Sequence, residues 1–153
     1  MEIKLQTKSN VETEHLGELI AKHVFPNLVI TLTGDLGAGK TTLVKGLARG
    51  LGIKDKVTSP TFNILKCYFN KPISLFHIDA YRLADSNKDI GLEEFIEGNG
   101  VCVIEWPMYI KEMLPEVTLN ININHAGDDN RDITIDYDGD ELNELFTNIK
   151  EVK

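Results

Sequence analysis

The spacing of apolar positions changes repeatedly along the 153-residue chain between that of a strand and that of a helix. Residues 2–7 alternate between polar and apolar side chains, which predicts a first strand. The capping box Ser9-x-x-Glu12 then predicts the start of a helix, which Pro26-Asn27 closes. The apolar face of this helix comprises Leu16, Leu19, Ile20 and Val24. The chain therefore begins with a strand followed by an amphipathic helix.

The next two segments are a buried strand and a second helix, separated by a glycine-rich run. Residues 28–33 are almost continuously apolar, which predicts a buried strand. Residues 43–51 have helical apolar spacing, and Gly52 is suited to end that helix. Gly46, inside this helix, costs about 1 kcal/mol relative to alanine, and close packing is the reason that we expect for it.

The remaining chain alternates strands with short helices. Residues 62–69 and 73–78 predict an antiparallel hairpin around Asn70-Lys71-Pro72. Further strands are predicted at 101–104, 117–123 and 132–137, and helices at 91–96, between Pro107 and Pro115, and after a second capping box, Asp138-x-x-Glu141. We find no repeat or linker, so residues 1–153 are expected to form a single α/β domain with a mixed sheet.

The most informative motif is the run Gly34–Thr41, which matches G-x-x-x-x-G-K-[ST] at every specified position. Its glycines allow backbone N–H groups to surround a phosphate, and the following helix adds partial positive charge. Lys40 would reach the β- and γ-phosphates, and the Thr41 hydroxyl would hold Mg²⁺. The motif predicts a P-loop NTPase-type three-layer sandwich with a mixed, mainly parallel central sheet and antiparallel additions.

Two carboxylates follow predicted strands and are candidates for the metal and the hydrolytic chemistry. Glu105 comes directly after residues 101–104, and Asp79 ends the strand 73–78. In nucleotide-binding α/β folds such groups lie at the carboxyl ends of neighbouring strands. Strand alternation places His77 on the same face as Asp79. The four histidines show no metal-ligand spacing, and we expect them to be structural or surface residues.

Three further features lie near these candidates. The segment Thr58-Ser59-Pro60-Thr61 follows the P-loop helix, where a γ-phosphate-sensing loop would be expected by analogy with nucleotide switches. Trp106 directly follows Glu105, which favours a coupling role. Arg82, three residues after Asp79, is the best of the three arginines for contact with a phosphate or a partner.

Composition restricts the function classes. A formal net charge of −8 argues against broad unaided binding to nucleic acid. No apolar run approaches the length of a membrane span, and the N-terminus lacks the features of a signal peptide. Cys67 and Cys102 are expected to be reduced core residues, with a disulfide between them as the alternative. These features favour a cytoplasmic protein that makes no membrane contact.

The order of several motifs resembles the TsaE family, the bacterial ATPase of tRNA threonylcarbamoyladenosine biosynthesis. The resemblance runs from about Thr13 to about Arg131. Its motifs are Gly34–Thr42, Ser59-Pro60-Thr61, the run from His77 to Leu83 with Asp79-Ala80-Tyr81-Arg82, Gly91–Phe95 and Ile104-Glu105-Trp106-Pro107. Ala80 stands where the family often has leucine.

The resemblance implies a domain that binds ATP and Mg²⁺ and hydrolyses ATP slowly by itself. It also implies association with the TsaB–TsaD heterodimer, with tRNA contacted only indirectly through that complex. Lys40, Asp79 and Glu105 would take the catalytic roles, and Thr41 and Glu105 would bind the metal. The expected nucleotide-binding residues are Thr13, Asp35, Gly37, Ala38, Gly39, Lys40, Thr41, Thr42 and Arg131. The expected switch or partner-coupling residues are Ser59, Pro60, Thr61, Tyr81, Arg82 and Trp106.

Three other functions are compatible with a P-loop. A small-molecule kinase usually has a lid with several arginines, and this chain has three in all. A GTPase would need Asn-Lys-x-Asp, but Asn70-Lys71-Pro72 is followed by Ile73. A nucleotide-dependent interaction module without hydrolysis is the third, and variants of Lys40 and Glu105 would separate binding from hydrolysis.

Overall fold

The computed structural model describes residues 1–35, 37–60, 64–83 and 91–152. One mixed seven-stranded sheet has the order β1-β7-β6-β2-β5-β4-β3. The strands are β1 (Glu2–Thr7), β2 (Val29–Gly34), β3 (Leu65–Tyr68), β4 (Leu75–Asp79), β5 (Val101–Glu105), β6 (Leu119–His125) and β7 (Arg131–Asp136). The α-helices are α1 (Asn10–Ala21), α2 (Lys40–Gly50), α3 (Leu92–Ile96) and α4 (Asn143–Val152), with 3₁₀ turns at Tyr81–Leu83 and Pro107–Met113.

The centre of the sheet is parallel and its edges are antiparallel. Strands β6, β2, β5 and β4 run in one direction. The hairpin partner β3 and the pair β7 and β1 are added antiparallel at the two edges. This arrangement confirms the mixed α/β fold predicted from the sequence, including the antiparallel hairpin β3–β4. Residues 61–63, where that hairpin was predicted to begin, lie outside the described residues.

Helices cover both faces of the parallel centre. On one face, α1, α2 and α4 enclose a core that includes Leu32, Leu47, Ile123 and Phe146. On the other, Leu92, Ile96 and Ile110 pack on β4 and β5 in a second core. The faces of β6 and β7 on that second side carry partly exposed polar residues, so the third layer covers only part of the sheet. Within the described part of the chain, no helix is long and apolar enough to cross a membrane.

The capping box at α1 forms, whereas the one expected before α4 does not. Ser9 Oγ accepts from the N–H of Glu12 at 3.1 Å, and the Glu12 carboxylate accepts from the N–H of Lys8 at 3.1 Å. The prediction of a cap at Asp138-x-x-Glu141 was wrong, because α4 begins at Asn143. Glu141 instead accepts from the Tyr137 hydroxyl at 3.3 Å.

Two other helices differ from the sequence prediction. Helix α1 ends at Ala21, before Val24. The segment after Pro107 is a 3₁₀ helix interrupted at Ile110, whose φ and ψ of −130° and 34° are not helical. The Ile110 side chain is 2% exposed and lies in the second core. Burial of this side chain thus coincides with the break in the helix that the sequence predicts as continuous.

Close contact between α1 and α2 explains the glycine inside α2. A Cβ on Gly46 would lie 1.9 Å from the carbonyl oxygen of Glu14, and one on Gly17 would lie 2.3 Å from that of Leu43. These distances are far below van der Waals contact, so both helices need glycine here. Arg49 on α2 reinforces the contact with ion pairs to Glu14 and Glu18 at 2.7 and 2.6 Å.

The sheet register rules out the disulfide that the sequence left open. Cys67 on β3 and Cys102 on β5 both align with Phe76 on the intervening strand β4. Two strand spacings of about 4.8 Å therefore separate their Cα atoms, whereas a disulfide needs Cα atoms within about 7 Å. Both cysteines are free, which confirms the prediction of reduced thiols.

We predict that Gly46→Ala destabilises the fold by about 1 to 3 kcal/mol, because the added methyl group overpacks the α1–α2 contact. Alanine would otherwise stabilise a helix interior relative to glycine, so the sign of the change is diagnostic. Urea unfolding measures it. Lys45→Ala, at an exposed position of the same helix, is the control and should change stability by less than about 0.5 kcal/mol. A Gly46→Ala protein as stable as the wild type would contradict this packing.

We predict that Cys102 resists alkylation in the native protein. Burial raises the pKa of the Cys102 thiol, and the pKa of the half-buried Cys67 is raised for the same reason. The thiolate is the reactive form, so N-ethylmaleimide should label Cys67 slowly and Cys102 only after unfolding. Mass spectrometry of peptides measures both. Rapid native labelling of Cys102 would contradict the structure.

Candidate nucleotide site

The glycine-rich segment links the end of β2 to the start of α2 with the backbone conformation that its glycines permit. Gly34, Gly37 and Gly39 have φ angles of 140°, 74° and 99°, values that side chains with a Cβ rarely adopt. A Cβ on Gly34 would also lie 1.8 Å from the carbonyl oxygen of Ile123 on β6. The first glycine is therefore required by close packing as well as by conformation. Leu36 lies outside the described residues.

The N-terminus of α2 is suited to an anion. Gly39 is its N-cap residue, no side chain among the described residues caps it, and its first turn holds no acidic residue. This contrasts with α1, whose first turn is capped by Ser9. The first N–H groups of a helix carry partial positive charge and bind anions when no side chain satisfies them. Thr41 and Thr42 lie half-buried in this first turn.

Lys40 and Glu105 meet next to Trp106. The Lys40 Nζ donates to the carbonyl oxygen of Gly34 at 3.1 Å and lies 3.9 Å from Oε1 of Glu105. It also lies 5.5 Å from the centroid of the Trp106 ring, within the range of a cation–π interaction. Lys40 and Glu105 are 8% and 6% exposed. Removing two charged groups from water lowers the stability of the fold, and such pairs are concentrated at functional sites. Lys40 and Glu105 are therefore candidates for a functional role.

Asp79 lies beside Glu105 because β4 and β5 are parallel and in register at their carboxyl ends. The two residues are Cα partners in the sheet. One Asp79 carboxylate oxygen accepts from the N–H of Tyr81 at 3.0 Å, and the Ala80 N–H donates to the carbonyl oxygen of Glu105 at 3.0 Å. Asp79 is 4% exposed. The structure therefore brings together the two acids that the sequence singled out, and Asp79 also stabilises the turn that follows it.

Sequence reasoning missed one direct partner of Glu105. The ring nitrogen Nε2 of His77 lies 2.7 Å from Oε2 of Glu105, and the ring is fully buried. The sequence placed His77 on the face of Asp79, but only the register of β4 against β5 places it against Glu105. Among the residues that the structure describes, no group of three or more His, Cys, Asp or Glu could hold a metal ion alone.

A second polar cluster lies on the other side of the loop. The hydroxyl groups of Thr7 and Thr13 are 2.7 Å apart, and Thr7 is the Cα partner of Arg131. The Arg131 Nη1 donates to the carbonyl oxygens of Asp128 and Asn130. A Cβ on Gly39 would lie 3.2 Å from Arg131 Nε, which has no hydrogen-bond partner among the described residues. Arg131 thus lies next to Gly39 of the loop, and Thr13 is connected to it through Thr7; the nucleotide contacts that the resemblance implied for Thr13 and Arg131 stay predictions.

The candidate switch segment is connected to Asp79 through the backbone. The Ile64 N–H donates to the carbonyl oxygen of Pro60 at 2.8 Å, and the Asp79 N–H donates to that of Ile64 at 2.7 Å. Ser59 is exposed, whereas Pro60 is buried. Thr61 and the side chain of Arg82 lie outside the described structure, so their predicted roles stay predictions.

Two exposed tyrosine rings lie next to Trp106, the residue whose ring is near Lys40. Tyr81 and Tyr109 are 54% and 38% exposed, and their ring centroids lie 5.1 and 6.2 Å from that of Trp106. Met108 is 53% exposed in the same segment. Asp35, at the opposite end of the loop, is exposed, and its N–H donates to the Asn124 side chain at 3.2 Å.

The distribution of buried polar groups sets this region apart. Among the described residues, the polar or charged side chains in the interior are Thr7, Thr13, Thr31, Lys40, His77, Asp79, Glu105 and Arg131. All except Thr31 belong to the two clusters beside the loop. Proteins break the rule of apolar interiors mainly at functional sites.

Comparisons with known proteins agree on one family. Residues 7–133 match the family model for the threonylcarbamoyl adenosine biosynthesis protein TsaE. The chain is similar to the tRNA threonylcarbamoyladenosine biosynthesis proteins TsaE of Bacillus subtilis and Treponema pallidum. The Bacillus subtilis protein is 48% identical over 87% of this chain and 84% of its own length. The Treponema pallidum protein is 43% identical over 84% of this chain and 96% of its own length.

A solved structure supports the same similarity. The crystal structure of Bacillus subtilis YdiB is 40% identical, with a TM-score of 0.82, over 99% of this chain and 95% of that one. The similarity therefore extends over nearly the whole fold.

We predict that Lys40→Met changes the fluorescence emission of the protein without any ligand. Trp106 is the single tryptophan, and the variant removes the ammonium group near its ring. Lys45→Met, at an exposed position of the same helix, is the matched control and should leave the spectrum unchanged. Identical spectra for the wild type and Lys40→Met would mean that this contact does not form in solution.

Proposed function

The chain belongs to the TsaE family and so acts in tRNA threonylcarbamoyladenosine biosynthesis, and we propose that its part there is to bind and hydrolyse ATP. The observation that supports this most directly is the N-terminus of α2, which no described side chain caps and whose first residue, Lys40, forms a buried pair with Glu105. A helix N-terminus and an ammonium group together suit a polyphosphate. The Glu105 carboxylate beside Lys40 suits the cation that accompanies a polyphosphate.

The loop amides, Lys40 and Asp79 each have a proposed task. The amides of Gly37–Thr42 and the Lys40 ammonium bind the phosphates and neutralise the charge that develops during phosphoryl transfer. Asp79, held by the Tyr81 N–H beside Glu105, orients the attacking water or completes the metal's surroundings. Burial of these groups excludes bulk solvent, which strengthens their electrostatic interactions.

The donor set fits Mg²⁺. This ion prefers oxygen ligands and usually combines one or two protein groups with waters and substrate phosphates. The Thr41 hydroxyl and the Glu105 carboxylate would be those protein groups. When bound, Mg²⁺ supplies additional charge neutralisation on the phosphates. The lack of a larger cluster of metal-ligating side chains among the described residues agrees with such a substrate-dependent site.

We assign the second cluster to the nucleotide outside its terminal phosphates. Arg131 is 7% exposed and has a buried Nε without a hydrogen-bond acceptor among the described residues, next to Gly39. A buried donor of this kind is costly until a ligand accepts from it. Thr13, with its hydroxyl bonded to Thr7, provides a neutral polar group on the same side.

We propose that hydrolysis is slow until the TsaB–TsaD heterodimer binds. Phosphoryl transfer is accelerated when an arginine neutralises transition-state charge. Arg49 is engaged with Glu14 and Glu18, and the Nη1 atom of Arg131 is bonded to backbone carbonyls. Neither is placed as such a group, and the side chain of Arg82 lies outside the described structure. In this proposal the partner supplies the arginine or reorders the site.

The aromatic cluster of Tyr81, Trp106 and Tyr109 is the surface that we propose for coupling to that heterodimer. Tyr81 and Tyr109 are exposed, and the half-buried Trp106 between them and Lys40 makes the cation–π contact. Ser59 and Pro60 connect to the same region through Ile64 and Asp79. With a net charge of −8, the chain would meet tRNA only through its partners, in the cytoplasm.

The test is ATP turnover by the purified chain with and without TsaB–TsaD. We expect a slow basal rate that increases on adding the heterodimer. Lys40→Met should weaken nucleotide binding, whereas Glu105→Gln should lose Mg²⁺-dependent turnover by about 100-fold or more while still binding nucleotide. Lys45→Met is the matched control for charge.

Three outcomes would point elsewhere. A fast basal rate that the heterodimer does not raise would contradict the proposed dependence on partners. Phosphate transferred to a small acceptor would indicate a kinase. Assembly with TsaB–TsaD that needs ATP but proceeds unchanged in Glu105→Gln would indicate a binding module without a role for hydrolysis.

A further inference from the structure

His77 is a fully buried imidazole at the floor of the candidate site. It lies on β4 between Leu75 and Asp79, on the sheet face that α2 covers. Its Cα partner on β5 is Val103, two residues before Glu105. The ring must therefore extend along the strands toward their carboxyl ends to reach Glu105, where Nε2 approaches Oε2 at 2.7 Å.

The Glu105 carboxylate is divided between two neighbours. Oε2 lies against His77, and Oε1 faces Lys40 Nζ at 3.9 Å. A carboxylate on a side chain as long as glutamate can rotate about its terminal torsion, because that torsion has broad minima. The bond to His77 removes this freedom and leaves one oxygen directed toward the P-loop lysine.

This arrangement is not explained by packing alone. The Nδ1 atom of His77 is buried and has no hydrogen-bond partner among the described residues. An unsatisfied buried polar atom costs free energy, whereas an aliphatic side chain such as that of the neighbouring Leu75 would fill the position without that cost. The imidazole therefore contributes through its one bond, the one to Glu105.

We propose that His77 is a positioning residue that orients Glu105 for Mg²⁺. The inference rests on the proposed function, because it specifies how the site selects and holds its cation. Outer-shell hydrogen bonds of this kind fix the orientation of a metal-ligating carboxylate and commonly affect metal affinity by 10- to 100-fold. His77 fixes Oε2 so that Oε1 is the oxygen available on the side of Lys40.

Two substitutions separate positioning from packing. His77→Gln retains an N–H donor at about the distance of Nε2 from the backbone, whereas His77→Leu fills the space without a donor. His77→Asn is a third variant, whose shorter amide does not reach Glu105. It replaces His77→Leu if that protein fails to fold. Thr31→Val is the matched control, because it removes a partly buried hydrogen bond, to Asn120 at 2.6 Å, on the opposite sheet face.

The measurement is the binding of a non-hydrolysable ATP analogue to the full chain, followed by Trp106 fluorescence, first in EDTA and then with increasing Mg²⁺. We expect all variants to bind the analogue similarly in EDTA. The Mg²⁺ concentration that gives half of the maximal change in Trp106 fluorescence should rise about 10- to 100-fold in His77→Leu. In His77→Gln it should rise less than about fivefold. Thr31→Val should lower the melting temperature without changing the Mg²⁺ response.

The outcomes distinguish this inference from the proposed function. If His77→Leu and wild type respond to Mg²⁺ alike, or if His77→Gln is impaired as much as His77→Leu, the positioning role is refuted and nucleotide binding stands. If the wild type binds the analogue but ignores Mg²⁺, the role is again refuted. If the wild type binds no nucleotide under any condition, the proposed function itself fails.

Discussion

The parallel alignment of β2, β5 and β4 is the constraint on which the site depends. Parallel strands end at one edge of a sheet, so the P-loop after β2, Glu105 at the end of β5 and Asp79 at the end of β4 arrive together. The β4–β5 register makes the two acids neighbours. A shift by one residue would turn Glu105 to the opposite face, away from α2.

Buried polarity is concentrated where this alignment places it. Lys40 and His77 both approach the buried Glu105, Asp79 lies beside it in the sheet, and Arg131 lies beyond the loop next to Gly39. Such groups reduce stability compared with apolar replacements. Other parts of the fold offset this loss of stability. Helices α1 and α2 pack closely through glycines, and each sheet face carries an apolar core.

Two connections extend from the buried cluster to the surface. One runs through Trp106 to the exposed rings of Tyr81 and Tyr109. The other runs from Asp79 through the backbone of Ile64 to Pro60. These short connections would let a protein that binds at the surface alter the arrangement of the acids. The first connection consists of ring contacts and the second of backbone hydrogen bonds.

The sequence alone determined the strands and helices of the core, the P-loop and the identity of the two acids, because each depends on local periodicity or on spacing within a few residues. It failed at the start of α4, which begins at Asn143, and at Ile110, where a buried side chain coincides with a break in the helix. Only the tertiary structure placed His77 against Glu105, Thr7 beside Arg131, and Cys67 out of reach of Cys102. Those relations follow from strand order and register, which join residues far apart in the chain and which no local pattern encodes.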